Sequence, residues 1–200
     1  MTAVRAVLVK LGEADLGWLA ADRAVALAGG DPVVAGVAAV SVGQALRALD
    51  RDRLALTVTM TAAARTTDAA VEGTLLLQGA LAAASCGDTH QADELIDHAA
   101  GVAEHMSAGQ DPHHTSFGPI AVELARVVAA VELGDAGEAV YRHERVIRRE
   151  EWRWLPAEYR AAYLVDAAQA YLQVGDLVGA GRVLVDADGI APAEVRWRVR

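Results

Sequence analysis

The sequence contains one cysteine, Cys86, which excludes an internal disulfide framework and is typical of a reducing compartment. Aromatic residues make up only 4% of the 200 residues, and strand-like alternation of Val, Ile or Thr with polar residues is scarce. The longest uncharged runs, 32–46 and 73–87, are shorter than the ~20 apolar residues of a membrane-spanning helix. The N-terminal residues lack the apolar core of a signal peptide. We therefore expect a cytoplasmic protein with no membrane partner.

Basic residues are also in deficit, with 18 Lys and Arg against 27 Asp and Glu and a net charge of -9. Gripping a phosphate backbone requires clustered basic residues. Segment 141–154 holds several arginines, but three glutamates interrupt them. This pattern favours a solvated helix surface, with a nucleic-acid patch as the alternative. Trp152 and Trp154 are expected to pack near Tyr159 and Tyr163 rather than stack on bases.

Alanine, in contrast, is abundant, and it favours helices that approach each other closely. The composition therefore predicts an all-α protein. Each of several turns separates two apolar-periodic segments of helical length, so the repeating unit is a helical hairpin. The turns are marked by Gly87-Asp88, Gly134-Asp135, Gly175-Asp176 and a fourth centred on Asp50.

Small residues recur at fixed distances from these turn residues, which predicts close helix crossings. Five residues after them stand Ala55, Ala92, Ala139 and Ala180. Twelve after stand Ala62, Ala99, Val146 and Ala187, and seven before stand Gly43, Ala80, Val127 and Ala168.

The last copy resembles a tetratricopeptide repeat (TPR), carried by Ala168, Tyr171, Ala180, Leu184, Ala187 and the closing Pro192. The copies around Asp50 and Gly134 depart from that pattern, with Thr59 and His143 where a large apolar residue is usual. The resemblance implies a TPR-like solenoid of about five antiparallel hairpins with a concave face.

The sequence predicts a single domain over 1–200. Its parts are an incomplete first hairpin at 1–30, hairpins at 31–67, 68–106, 118–150 and 156–188, and a C-terminal cap at 191–200. Within the last two hairpins, the second helices are predicted at Ala136–Arg149 and Leu177–Val185. Solenoid ends must be capped or paired, so we expect a homodimer formed through an end hairpin.

Three segments resemble a narrower family: "DLGWLAADRAVALA", "SFGPIAVELARVVAAVELGDAGEA" and "APAEVRWRVR". They are similar to the C-terminal TPR-like domain of actinobacterial XRE-type helix-turn-helix transcriptional regulators, and Phe117-Gly118-Pro119 is the most specific part. The resemblance implies a sensor domain that binds a small molecule or peptide and self-associates. DNA contact is expected only through a helix-turn-helix domain not present in this sequence, whether the chain is freestanding or an excised domain.

In a TPR solenoid the first helix of each hairpin lines the groove. The resemblance places Gln44, Arg47, Leu77, Leu81, Leu124, Val128, Gln169 and Gln173 there. An apolar set with a few polar groups suits a small molecule or an apolar peptide. The alternative is that the four apolar residues are core and the chain is a constitutive protein scaffold. Arg47 is the only permanent charge, so an anionic or carbonyl group is expected near it.

Motifs for catalysis are missing: there is no phosphate loop, nucleophile elbow or metalloprotease helix. We predict no enzymatic activity and no cofactor. Five of the six histidines lie between His90 and His114, and Glu94, His98 and His105 share one helical face. Such residues can ligate zinc or another divalent ion. Without a compact ligand motif a solvated face is the favoured interpretation, and no metal is predicted.

Overall fold

The computed structural model describes Leu16, Leu19, Arg23 and Ala26, then residues 28–106, 111 and 113–198. Most of the predicted first hairpin at 1–30 lies outside these residues. The chain divides into two compact units, the first ending at Val122 and the second beginning at Glu123. The single domain over 1–200 stays a prediction, and each unit is described by itself.

The first unit contains two complete helical hairpins. Their helices are α1 (Pro32–Ala48), α2 (Asp52–Ala63), α3 (Ala69–Ser85) and α4 (Thr89–Glu104). Each helix packs against the next, and α1 also packs against α3. The core between them includes Val42, Leu46 and Ala55 around α1 and α2, and Val71 and Leu75 on α3.

A further helix, α5 (Pro119–Glu132), begins in the first unit and continues into the second. The second unit then contains α6 (Ala136–Val146), a 3-10 helix (Glu150–Trp154), α7 (Ala157–Gln173), α8 (Leu177–Ile190) and α9 (Pro192–Arg198). The helix α7 packs against α6, α8 and α9. No strand occurs among the described residues, which confirms the predicted all-α hairpin architecture.

The four hairpin turns share one backbone conformation. Asp50, Gly87, Gly134 and Gly175 are all left-handed, with φ of 55°, 78°, 80° and 81°. In each turn the next N–H donates to the carbonyl five residues earlier. The pairs are Arg51 to Leu46, Asp88 to Ala83, Asp135 to Ala130 and Asp176 to Tyr171, at 2.8–3.0 Å. This bond satisfies a carbonyl at the helix end, and glycine adopts the conformation without steric cost.

The aspartate of each Gly-Asp pair begins the next helix. Its carboxylate accepts a backbone N–H three residues on: Asp88 from Gln91 at 3.0 Å, Asp135 from Glu138 at 3.3 Å, and Asp176 from Gly179 at 2.8 Å. A Gly-Asp pair therefore ends one helix and caps another. In the hairpin of α1 and α2, Arg51 takes the capping position, and its side chain makes no cap hydrogen bond.

The predicted small positions lie in the helix interfaces. Ala55, Ala92 and Ala139 are 0% exposed and Ala180 is 1% exposed. The residues seven before each turn are also buried. Twelve after the turn, Ala62 alone is only partly buried.

Two helix ends differ from the prediction. The helix α8 continues beyond Val185 to Ile190, because Ala187 is completely buried and packing continues past the polar Asp186 and Asp188. The helix α6 ends at Val146 rather than Arg149, where the chain turns into the 3-10 helix.

Candidate functional site

In the first unit the predicted groove residues lie on α1 and α3. Gln44 is exposed and Arg47 is partly buried. Leu77 and Leu81 are buried, at 6% and 9% exposure. The surface that this set offers is therefore polar, and the two leucines belong to the core.

The second unit has the same division between α5 and α7. Leu124 and Val128 are buried. Gln169 and Gln173 are exposed, and Gln173 Nε2 donates a hydrogen bond to the carbonyl of Val131 at 3.3 Å. Binding of a ligand by these residues stays a prediction.

The three metal candidates have separate partners. Glu94 lies 3.6 Å from His90, His98 lies 4.0 Å from Glu72, and His105 Nδ1 lies 2.7 Å from the carbonyl of Gly101. Across the described residues no three His, Cys, Asp or Glu side chains meet where they could hold a metal ion. An open pocket of about 450 Å³ is lined by Ala69, His98, Gly101, Val102, His105 and Met106.

The Phe117-Gly118-Pro119 segment has a structural role. Upstream, the Asp111 carboxylate accepts hydrogen bonds from the Thr115 N–H and hydroxyl, both at 2.9 Å, and from the Ser116 N–H at 2.7 Å. The Phe117 ring then lies where a Cβ on Gly73 would be, near the N-terminal end of α3. The loop is thereby fastened to α3 directly before α5 begins.

A buried polar cluster surrounds His143 on α6. The His143 Nδ1 lies 3.0 Å from the Tyr163 hydroxyl, and Tyr171 meets the imidazole edge-on. Burial and, to a smaller extent, the positive charge of Arg182 together lower the pKa of His143 to about 4. Burial likewise raises the pKa of Tyr163 well above its ordinary value. At neutral pH the pair is therefore uncharged, and His143 fills the large apolar position with a satisfied polar group.

The arginine-rich segment 141–154 lines a small pocket between α6 and the part of α5 that belongs to the second unit. Its lining residues are Glu123, Glu138, Tyr141, Arg142, Arg145, Val146 and Arg149. Arg142 Nε lies 2.6 Å from Glu138, and Arg149 Nη2 lies 3.7 Å from Glu123. The prediction of a solvated helix surface for this segment did not include the pocket, because the contacts from α5 are not visible in the local sequence.

The two tryptophans of this segment differ. Trp152 is buried and meets Tyr163 at 5.4 Å between ring centroids, as predicted. Trp154 is 73% exposed, so its predicted packing is wrong. The 3-10 helix places only the first tryptophan toward α7.

Helix α8 has an apolar outer face. Val178 and Val185 are 84% and 71% exposed, with Gly181 on the same stripe. Ten residues after the turn, where α8 has Val185, the other hairpins have Met60, Asp97 and Glu144. Three after the turn, where α8 has Val178, they have Arg53, His90 and Gly137. Comparison of equivalent positions could have revealed this face from the sequence.

Among the described residues no helix is long and apolar enough to cross a membrane. No protein-family model and no curated protein matches the chain. Solved structures do: the chain is similar to two crystal structures of a kinesin light chain-like protein of Podosopora anserina with nearly identical TPR-like repeats. Both have 16% identity and a TM-score of 0.54, and the alignments cover 98% and 94% of this chain and 94% and 92% of theirs. The fold is TPR-like, as predicted.

Proposed function

We propose that the chain is a protein-interaction module that pairs with a second copy through the outer face of α8. The apolar α8 face carries this proposal. Exposed apolar side chains that share one stripe of a helix are typical of an interaction surface, and α8 exposes two valines in this way. Burial of Val185 against a partner would remove apolar surface from water.

The charges on α8 favour a second copy as the partner. In an antiparallel pair with Val185 beside its own copy, Gly181 faces Gly189 of the second copy. Arg182 then lies level with Asp188 of the second copy along the pair, and the two-fold axis repeats this combination. Within its own chain Arg182 also hydrogen-bonds Tyr171. Both glycines have open space where a side chain would be, so the helices can approach closely.

Sedimentation velocity at tens of micromolar protein tests this pairing. We expect a dimer for the wild type and a monomer for Val185→Glu. This substitution introduces the residue type that α6 has at the equivalent position, Glu144. Leu54→Glu, at another exposed apolar site on α2 (56% against 71% for Val185), is the matched control and should remain dimeric.

A charge exchange identifies the register. Arg182→Asp and Asp188→Arg should each weaken the dimer, and the double variant should restore it. Wild-type protein that sediments as a monomer would contradict the proposed pairing. If the dimer formed through a face other than that of α8, the double variant would not restore it.

The finer candidate is the sensor domain of a transcriptional regulator, with an effector at Gln44 and Arg47 on α1 of the first unit. The Phe117-Gly118-Pro119 segment supports this candidate, because it is the most specific part of the resemblance to transcriptional regulators. The buried Leu77, Leu81, Leu124 and Val128 favour a polar effector over an apolar one. A thermal-shift screen of host extract fractions on wild type and Arg47→Ala tests it. We expect a fraction that stabilises the wild type and not Arg47→Ala. If no fraction stabilises the wild type, the interaction module is the proposed function that stands.

A further inference from the structure

The pocket on α6 is positively charged in an acidic protein. Three arginines and two glutamates line it, whereas the whole chain carries a net charge of -9. Its volume is about 80 Å³. Typical small-molecule sites have roughly 300–1,000 Å³, so this pocket suits one functional group rather than a whole cofactor.

The two glutamates orient Arg142 and Arg149 without using all the N–H donors of either guanidinium. Glu138 binds Arg142 through Nε at 2.6 Å. Glu123 holds Arg149 through Nη2 at 3.7 Å. A guanidinium offers five N–H donors in a fixed plane, so each of these arginines keeps donors for a further acceptor.

Arg145 supplies the charge that is not compensated. Its guanidinium lies over the Tyr141 ring, 5.3 Å from the ring centroid, and Nη1 donates to the Tyr141 hydroxyl at 3.2 Å. Within the described part of the chain Arg145 pairs with no carboxylate. The aromatic ring thus holds a cation at the pocket without neutralising it.

We propose that this pocket binds one oxyanion, a carboxylate or a phosphate group, on an acidic segment of a partner protein. The inference rests on the proposed interaction module and names the chemistry of a second partner. Planar guanidinium groups recognise both oxyanions by paired hydrogen bonds. Tyr141 is 56% exposed beside them, and Tyr and Arg are enriched among the residues that dominate protein interfaces.

A nucleic acid fits this surface less well. Binding to its backbone requires neutralisation of many phosphates along an extended basic surface. Here the exposed Glu144, Glu150 and Glu151 adjoin the arginines in sequence, and the net charge of the chain repels a polyanion. One oxyanion on a short peptide avoids most of that repulsion.

The test uses capped pentapeptides Gly-Ser-X-Ser-Gly in which X is phosphoserine, glutamate or serine. Each is titrated into ¹⁵N-labelled full chain while the arginine Nε–H resonances are followed by NMR. We expect saturable shifts with phosphoserine or glutamate and none with serine, and the tighter peptide identifies the oxyanion. Arg145→Gln should weaken binding at least about tenfold, and Arg145→Lys should weaken it less.

Arg53→Gln, at an exposed arginine on α2, is the matched control and should bind as the wild type does. Equal weakening by Arg53→Gln and Arg145→Gln would overturn the proposal, as would the absence of saturation with both acidic peptides. A ten-base-pair DNA duplex that binds tenfold more tightly through Arg145 would overturn it in favour of a nucleic-acid site. Sedimentation of the same samples separates the proposals, because dimer formation without peptide binding contradicts only the pocket.

Discussion

Gly73 in α3 shows how much one missing side chain can determine. The Phe117 ring occupies the space of its absent Cβ, so the loop before α5 packs directly on the α3 backbone. Phe117 is 8% exposed there. Glycine costs helix stability, and here that cost is offset by an aromatic contact.

Gly73→Ala should therefore destabilise the protein by about 1–3 kcal/mol, because the methyl group displaces the ring. Urea unfolding measures this change in the free energy of unfolding. Gly101→Ala is the control: its Cβ meets open space on α4, so helix propensity should stabilise by up to ~1 kcal/mol. In Phe117→Ala, Gly73→Ala should cost much less than in wild type, and equal costs would contradict the proposed contact.

His143 should make stability depend on pH. Its pKa is about 4 in the folded chain and 6.5 ordinarily, so the unfolded chain binds the proton more tightly. The stabilisation is complete above pH 6.5 and declines as the pH falls toward 4, by at most about 3 kcal/mol. Denaturant unfolding between pH 4 and 7.5 measures it. His143→Leu should remove this decline, whereas the exposed His90→Gln should retain it.

At the scale of the helical hairpin, one difference between the four turns stands out. Asp88, Asp135 and Asp176 cap the second helices of their hairpins, and Arg51 does not cap α2. The four turns share a backbone bond, and the φ of the capping residue is −106° at Arg51 against −85° to −89° at the three aspartates.

Arg51→Asp should therefore stabilise the chain by about 1 kcal/mol by adding the missing cap. Chemical denaturation compared with wild type measures the gain. Asp88→Ala, which removes the cap of α4, should lower the free energy of unfolding by a similar amount. A neutral Arg51→Asp substitution would show that α2 begins differently from the other three helices.

The sequence predicts these hairpins well because their signals are local. A left-handed turn residue, a capping aspartate and an alanine five residues later all lie within six positions of each other. The end of α8 is different: the repeat predicts Ala187 at a helix crossing, but the continuation of the helix past Asp186 and Asp188 to Ile190 depends on packing against other helices. The same holds for the α6 pocket, where Glu123 and Arg149 are 26 positions apart in sequence (149 − 123).

For the molecule as a whole, pairing through α8 predicts a melting temperature that depends on concentration. Association of folded chains stabilises them by mass action. The wild type should therefore melt at higher temperature as protein concentration increases, as followed by circular dichroism at 222 nm. Val185→Glu should melt at one temperature throughout the same range. A constant wild-type melting temperature would count against the pairing.

The packing of Phe117 on Gly73 also has a practical consequence. Phe117 is the only phenylalanine in the sequence, so biosynthetic incorporation of fluorophenylalanine labels one site. Its ring lies against the backbone of α3 at Gly73. One ¹⁹F resonance would therefore report the docking of the loop on α3, without interference from any other part of the chain.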